Sequence, residues 1–154
     1  MTLQIQAATL ADAAAISELV LHNSQKTLLP HYAPEQWAVF VQYYSLAAVE
    51  EKIRTQDVFV ASIDHELVGT IALEADMVLG FYTHPDHMGK GIGSAVLNHL
   101  EQHARTKGLD HLQLAASPVA VSFYEERGWQ RLGEEWFVYG GVRFWETRMR
   151  KELR

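Results

Sequence analysis

Tyr82-Thr83-His84-Pro85-Asp86-His87-Met88-Gly89-Lys90-Gly91-Ile92-Gly93-Ser94 places three glycines at alternate positions. The segment follows a strand-like run, Met77 to Thr83. It precedes Ile92, Val96, Leu97, Leu100 and Ala104, an apolar stripe at helical spacing. Pro85 ends the strand because it has no N–H to give to a ladder. Glycine lets backbone approach a ligand closely and adopt positive φ. The first turn of a helix adds free N–H groups and partial positive charge. Three alternating glycines with Lys90 and Ser94 therefore predict an anion cradle suited to a pyrophosphate. A Walker loop needs Ser or Thr after its lysine, where Gly91 stands. A dinucleotide fingerprint begun at Gly89 needs glycine where Ser94 stands.

On the N-terminal side, Leu3-Gln4-Ile5-Gln6-Ala7 alternates as a half-buried strand does. Thr9 is placed to cap a helix whose apolar face is Ile16, Leu19 and Val20. Asn23 to Pro34 reads as a loop. A second helix runs from Pro34 to about Arg54, with a break near Ser45. Strands follow at Asp57–Ile63, Leu67–Leu73 and Met77–Thr83; the first is apolar enough to be covered on both faces. On the C-terminal side, the helix from Gly91 to Lys107 stops at Gly108. Next come a strand, Leu112–Ala116, and a short helix, Pro118–Arg127. Two strands, Trp129–Tyr139 and Val142–Met149, join at Gly140-Gly141, and a basic tail follows. The order predicts one α/β (α+β) domain over residues 1–154. Its sheet is mixed but mainly antiparallel, with about seven strands and about four helices.

The 154 residues are 48% hydrophobic and 21% charged, and none is cysteine. Disulfides, a thiolate nucleophile and cysteine zinc sites are thereby excluded. A formal net charge of -6 disfavours nucleic acid as a partner. The first residues resemble no signal peptide and no apolar run approaches a membrane span, so a cytoplasmic location is expected. His99 and His103 lie four apart on a helix but have no evident third ligand, and no metal is expected.

The glycine segment resembles the acetyl-CoA-binding motif of the GNAT N-acetyltransferases, in which Gln/Arg-x-x-Gly-x-Gly/Ala opens a helix. Ser117-Pro118-Val119-Ala120-Val121-Ser122-Phe123-Tyr124-Glu125-Glu126-Arg127-Gly128-Trp129 resembles that family's second motif. Met88 departs from the usual Gln or Arg, and Ser117 from the usual Asn. The resemblance implies acetyl-CoA as cosubstrate and a primary amine as acceptor. It places the pantetheine arm beside Phe81, Tyr82 and Thr83, and near Ser117. The pyrophosphate falls to Met88, Gly89, Lys90, Gly91, Ile92, Gly93 and Ser94. Tyr124 matches the general acid that protonates the departing thiolate, a place that also sets it against the cofactor. Aromatic residues near the second helix, Trp37 with Tyr32 before it, would line the acceptor pocket. A homodimer is the assembly the resemblance suggests.

The general base has no clear signature. The Met77–Thr83 strand carries no carboxylate, and Glu74 at its start is the candidate, beside Asp76, Glu35, His84 or a water chain. The missing strand carboxylate keeps a second reading open, a non-catalytic acyl-CoA-binding or sensing module.

Overall fold

The computed structural model describes residues 2–154. Seven strands occur in chain order: β1 (Leu3–Ala7), β2 (Asp57–Ile63), β3 (Glu66–Glu74), β4 (Met77–Thr83), β5 (His111–Ala116), β6 (Gln130–Tyr139) and β7 (Val142–Glu152). They form one sheet in the order β1-β2-β3-β4-β5-β7-β6. Every neighbouring pair is antiparallel except β4 and β5, which run parallel. The α-helices are α1 (Ala13–Thr27), α2 (Pro34–Tyr43), α3 (Leu46–Thr55), α4 (Ile92–Thr106) and α5 (Val121–Glu125).

Alternation along β2 sends its side chains to two cores. Phe59 and Ala61 join Ile92, Val96, Leu97 and Leu100 of α4 on one face. Val58 and Val60 join Ile16, Leu19 and Val20 of α1, Phe40 of α2 and Val49 of α3 on the other. The unbroken apolar run of β2 is thus the mark of a strand covered on both sides.

Two details differ from the sequence reading and a third agrees with it. The segment from Asn23 is not loop: α1 continues to Thr27, followed by a single 3-10 turn at Leu29–His31. The polar residues there serve tertiary bonds. Asn23 is buried, its Nδ2 donates to the carbonyl of Thr83 (2.6 Å), and its Oδ1 accepts from Thr27 Oγ1 (2.9 Å). The break expected near Ser45 divides the helix from Pro34 into two, because Ser45 accepts from the Ala48 N–H (3.3 Å) and caps α3. The basic tail is also not free chain, since β7 extends to Glu152, which pairs with His111.

What positions the site is the parallel junction. β4 and β5 pair only where Met77 faces Gln113, then part toward their C-terminal ends. The closed end is fastened by Asp76. Its Oδ2 accepts from Gln113 Nε2 and from His111 Nε2, each at 2.8 Å, and its carbonyl accepts from Gln113 N (2.9 Å). Asp110 meets the other ring nitrogen of His111 at 2.7 Å. The two carboxylates, Asp110 foremost, hold the His111 imidazolium above the usual histidine range. On its other edge, β4 carries a bulge against β3, where the register shifts between Thr70 and Ala72. Gly80 takes φ +56 there, a value that favours glycine.

Candidate active site

The parting of β4 and β5 opens a cavity of 1240 Å³ that runs from the glycine loop to the aromatic side of α2. Pockets for one small ligand span roughly 300–1,000 Å³, and this cavity exceeds that range. Among the expected residues, Phe81, Tyr82, Thr83, Met88, Gly89, Gly91, Gly93, Ser94, Ser117, Tyr124 and Tyr32 line the cavity. Lys90 does not line it, and neither does Ile92, whose side chain sits in the α4 core. Trp37 stands behind the wall, stacked on Phe40 with centroids 5.6 Å apart. Glu74 is exposed at the β3–β4 turn and does not reach the cavity.

The loop forms its cradle by withholding a cap. Gly91 is the N-cap of α4 at φ +80, with no side chain to satisfy the first N–H groups of the helix. A Cβ on Gly89 or Gly91 would meet no protein atom within 4 Å. Space therefore remains for an anion beside free donors. Gly93 answers a different need, close packing, since a Cβ there would lie 3.3 Å from the Phe123 ring.

Arg127 adds a positive charge that no motif announced. Its guanidinium stacks 3.6 Å from the Phe123 ring centre. It donates to Ser94 Oγ (2.9 Å) and to the Phe123 carbonyl (2.8 Å), and it lines the cavity near the start of α4. The signal available in the sequence was its i, i+4 spacing from Phe123.

Tyr124 is buried among aromatic rings, with Phe81 at 6.2 Å, Phe123 at 5.4 Å and Trp129 at 5.7 Å between centroids. Burial pushes its phenol above the usual tyrosine range. The group is therefore a proton donor at neutral pH, not an acceptor.

The far side of the cavity is a box of rings enclosing a carboxylate. Tyr32 meets Phe144 at 5.4 Å, Phe144 meets Tyr139 at 5.4 Å, and Phe40 meets Tyr44 at 5.0 Å. Among them lies Glu146, whose Oε1 accepts from Tyr139 Oη at 2.7 Å. Burial raises the Glu146 carboxyl above its ordinary value, against the lowering effect of that hydrogen bond. Burial also raises the phenols of Tyr32 and Tyr44 to about 12. Glu146 escaped the sequence reading because a charged residue in a strand is usually solvated. Its phase was the clue: Glu146 follows Phe144 by two and so shares its face.

Two histidine groups remain, and His87 of the second lines the cavity. His103 Nε2 meets Asp57 at 2.8 Å, and both His99 and His103 rest against Phe59. His84, His87 and Glu66 bring ligand-type atoms within 4.8 Å of one another. His84 Nδ1, however, accepts from the Asp86 N–H (3.1 Å), which leaves the ring proton on the nitrogen that faces Glu66. Glu66 Oε1 lies 3.9 Å from His84 Nε2 and 3.7 Å from His87 Nε2, contacts longer than hydrogen bonds.

The chain matches the family model described as Acetyltransferase (GNAT) domain over residues 28–153. It is 27% identical to the uncharacterized N-acetyltransferase YafP of Escherichia coli (strain K12), across 80% of this chain and 79% of that protein. A shorter match, 33% identical, joins it to a ycf52-like uncharacterized N-acetyltransferase of Prochlorococcus marinus, over 30% of this chain and 26% of that one. Among solved structures, a GCN5-related N-acetyltransferase from Rhodopseudomonas palustris superposes with a TM-score of 0.90 at 23% identity, covering 99% of this chain and 96% of its own. PaiA N-acetyltransferase from Thermoplasma acidophilum, solved in complex with coenzyme A, superposes with a TM-score of 0.82 at 21% identity, covering 99% of both chains. The parted parallel strands, the uncapped glycine helix and the match across residues 28–153 lead to one assignment: the chain belongs to the GNAT acetyltransferase family.

Proposed function

We propose that the protein transfers the acetyl group of acetyl-CoA to a primary amine by direct attack within a ternary complex. One observation carries this reading: a single cavity joins the uncapped start of α4, the opening between β4 and β5, and the buried phenol of Tyr124. The pyrophosphate fits the free N–H groups of α4, with Arg127 beside them. The pantetheine arm fits between the strands, where backbone polar groups of β4 lose their partner strand beyond Met77. A backbone N–H in that stretch is suited to polarise the thioester carbonyl.

The amine nitrogen forms a bond to the acetyl carbon, and the carbon–sulfur bond breaks. The sulfur leaves with the electron pair of that bond and takes a proton from Tyr124. The phenol recovers its proton from the nitrogen as the amide forms. Acetyl-CoA and the ammonium form of the amine thus yield CoA thiol, the amide and one proton.

The test is release of CoA thiol from acetyl-CoA with a panel of amines, with products identified by mass. Acetylated amine is the expected product. Tight acetyl-CoA binding without turnover on any amine would instead make the chain a binding or sensing module.

A further inference from the structure

Glu146 is out of place unless something cationic comes to meet it. It is half-buried on β7 and lines the cavity. Its one hydrogen-bond partner among the described residues is the Tyr139 hydroxyl, and no Lys, Arg or His pairs with it there. The cavity's other carboxylate, Glu51, is exposed and faces Arg54 at 3.7 Å. Lys52 also lines the cavity, but its ammonium is engaged by the Tyr43 carbonyl and lies 4.9 Å from the Tyr44 ring centre. A carboxylate left unpaired in a desolvated place is costly. Its walls are ring faces and edges that suit an apolar body and a cationic head together.

The aromatic box also sets the chemical class. An ammonium group meets Glu146, and an alkyl or aryl body meets Tyr32, Phe40 and Phe144. An α-amino acid would bring its own carboxylate beside Glu146, where no free cation answers it. Like charges in such a place repel strongly.

We propose that Glu146 anchors and deprotonates the acceptor, which is a small primary amine with an apolar body and no neighbouring carboxylate. This inference rests on the acetyl-CoA reading above. The ammonium donates to the carboxylate oxygen that Tyr139 leaves free and transfers one proton to Glu146, which becomes the acid. The nitrogen lone pair so released attacks the thioester carbon. The second proton leaves nitrogen as the amide forms and reaches sulfur through Tyr124. Glu146 then returns its proton to solvent through the open mouth of the cavity.

The experiment compares 2-phenylethylamine with phenylalanine, which differ by one carboxylate, as acceptors with acetyl-CoA. Wild-type kcat/KM is expected to favour the amine by roughly a hundredfold or more. Glu146→Gln keeps the shape and removes the charge. It should lower kcat/KM for the amine by roughly a hundredfold or more, while calorimetric affinity for acetyl-CoA changes less than twofold. Tyr139→Phe should give a smaller loss of the same kind, and it carries the test if thermal melting shows Glu146→Gln unfolded. Retention of full amine turnover in the folded Glu146 and Tyr139 variants overturns the role of Glu146 but leaves acetyl transfer standing. A wild type that prefers phenylalanine overturns the substrate class. A wild type that binds no acetyl-CoA overturns the acetyl-transfer reading and this inference together.

Discussion

The proposed proton path has buried Tyr124 at one end and half-buried Glu146 at the other. Burial keeps Tyr124 protonated, as a donor requires, and it also raises Glu146, which in the proposed role must be ionised to accept. Tyr124→Phe removes one oxygen and keeps the ring among Phe81, Phe123 and Trp129. Turnover should fall by roughly tenfold or more with acetyl-CoA affinity nearly unchanged, as steady-state kinetics beside calorimetry will show. The thiolate leaves readily at neutral pH, so the loss belongs at the low end of acid catalysis. Glu146 also bears on stability. An unfolded glutamate ionises near 4.5, and the folded carboxyl holds its proton to higher pH. Between those values the native state binds more protons than the unfolded one, so stability falls as pH rises through the window. The phenols facing Glu146 do not titrate there: Tyr32 and Tyr44 lie at about 12, and Tyr139 is also raised. Glu146→Gln removes this penalty. Without ligand, its melting temperature relative to wild type should therefore be higher at pH 8 than at pH 4. An equal difference at both pH values would show that Glu146 does not carry the raised pKa.

At the scale of elements, the glycine loop was readable because its information is local. Alternate glycines, a preceding proline and a following helical stripe all lie within one short segment. The chain alone did not separate the roles of the glycines. Gly91 is there for its left-handed backbone, φ +80, with open space around it, whereas Gly93 is there because Phe123 passes 3.3 Å from its would-be Cβ. Gly91→Ala should cost about 1–2 kcal/mol from backbone strain. Because its added carbon meets no protein atom, any loss of CoA affinity reports contact with the ligand. Gly93→Val should displace Phe123 and, through it, the Arg127 guanidinium stacked on that ring, weakening CoA by at least roughly tenfold. Urea denaturation and CoA calorimetry on both variants separate strain from displacement. Unchanged affinity in both would reduce the glycines to a turn. The strands were legible for the same local reason: β2 alternates between two cores and reads as one apolar run. Arg127 and Glu146 were not legible, because each gains its meaning from a distant partner. Ser94 lies 33 positions from Arg127, and the rings around Glu146 include Tyr32, Phe40 and Tyr44 from α2 and its flanks, beside Tyr139 and Phe144 of the β6–β7 hairpin. The Asn23 segment failed for the same reason, since the Asn23 amide serves Thr83, 60 positions away.

The whole molecule is a sheet in two parts, β1 to β4 and β5 to β7, joined by one parallel pairing and the Asp76 cluster. The proposed cosubstrate would lie in the gap and contact both parts. A ligand that binds only the native state stabilises it by mass action, by about 2.7 kcal/mol at a hundredfold excess over Kd. For a chain of this size that corresponds to a rise of roughly 5–10 °C in melting temperature. Acetyl-CoA and CoA should both produce it, and ATP and NAD at matched concentration should not. The location of the effect is more telling than its size. Backbone amides along the parted edges, from Leu79 to Thr83 and from Leu114 to Ser117, should gain hydrogen-exchange protection, together with Met88 to Ser94. The Met77–Gln113 end is already closed and should change little. The β1–β2 ladder, fully paired from Leu3 to Ala7, should likewise be unaffected apart from the global gain. Protection confined to Met88–Ser94, with none along the two strand edges, would mean that the pyrophosphate is held but the arm does not enter the gap. Direct transfer between the strands would then have to be abandoned.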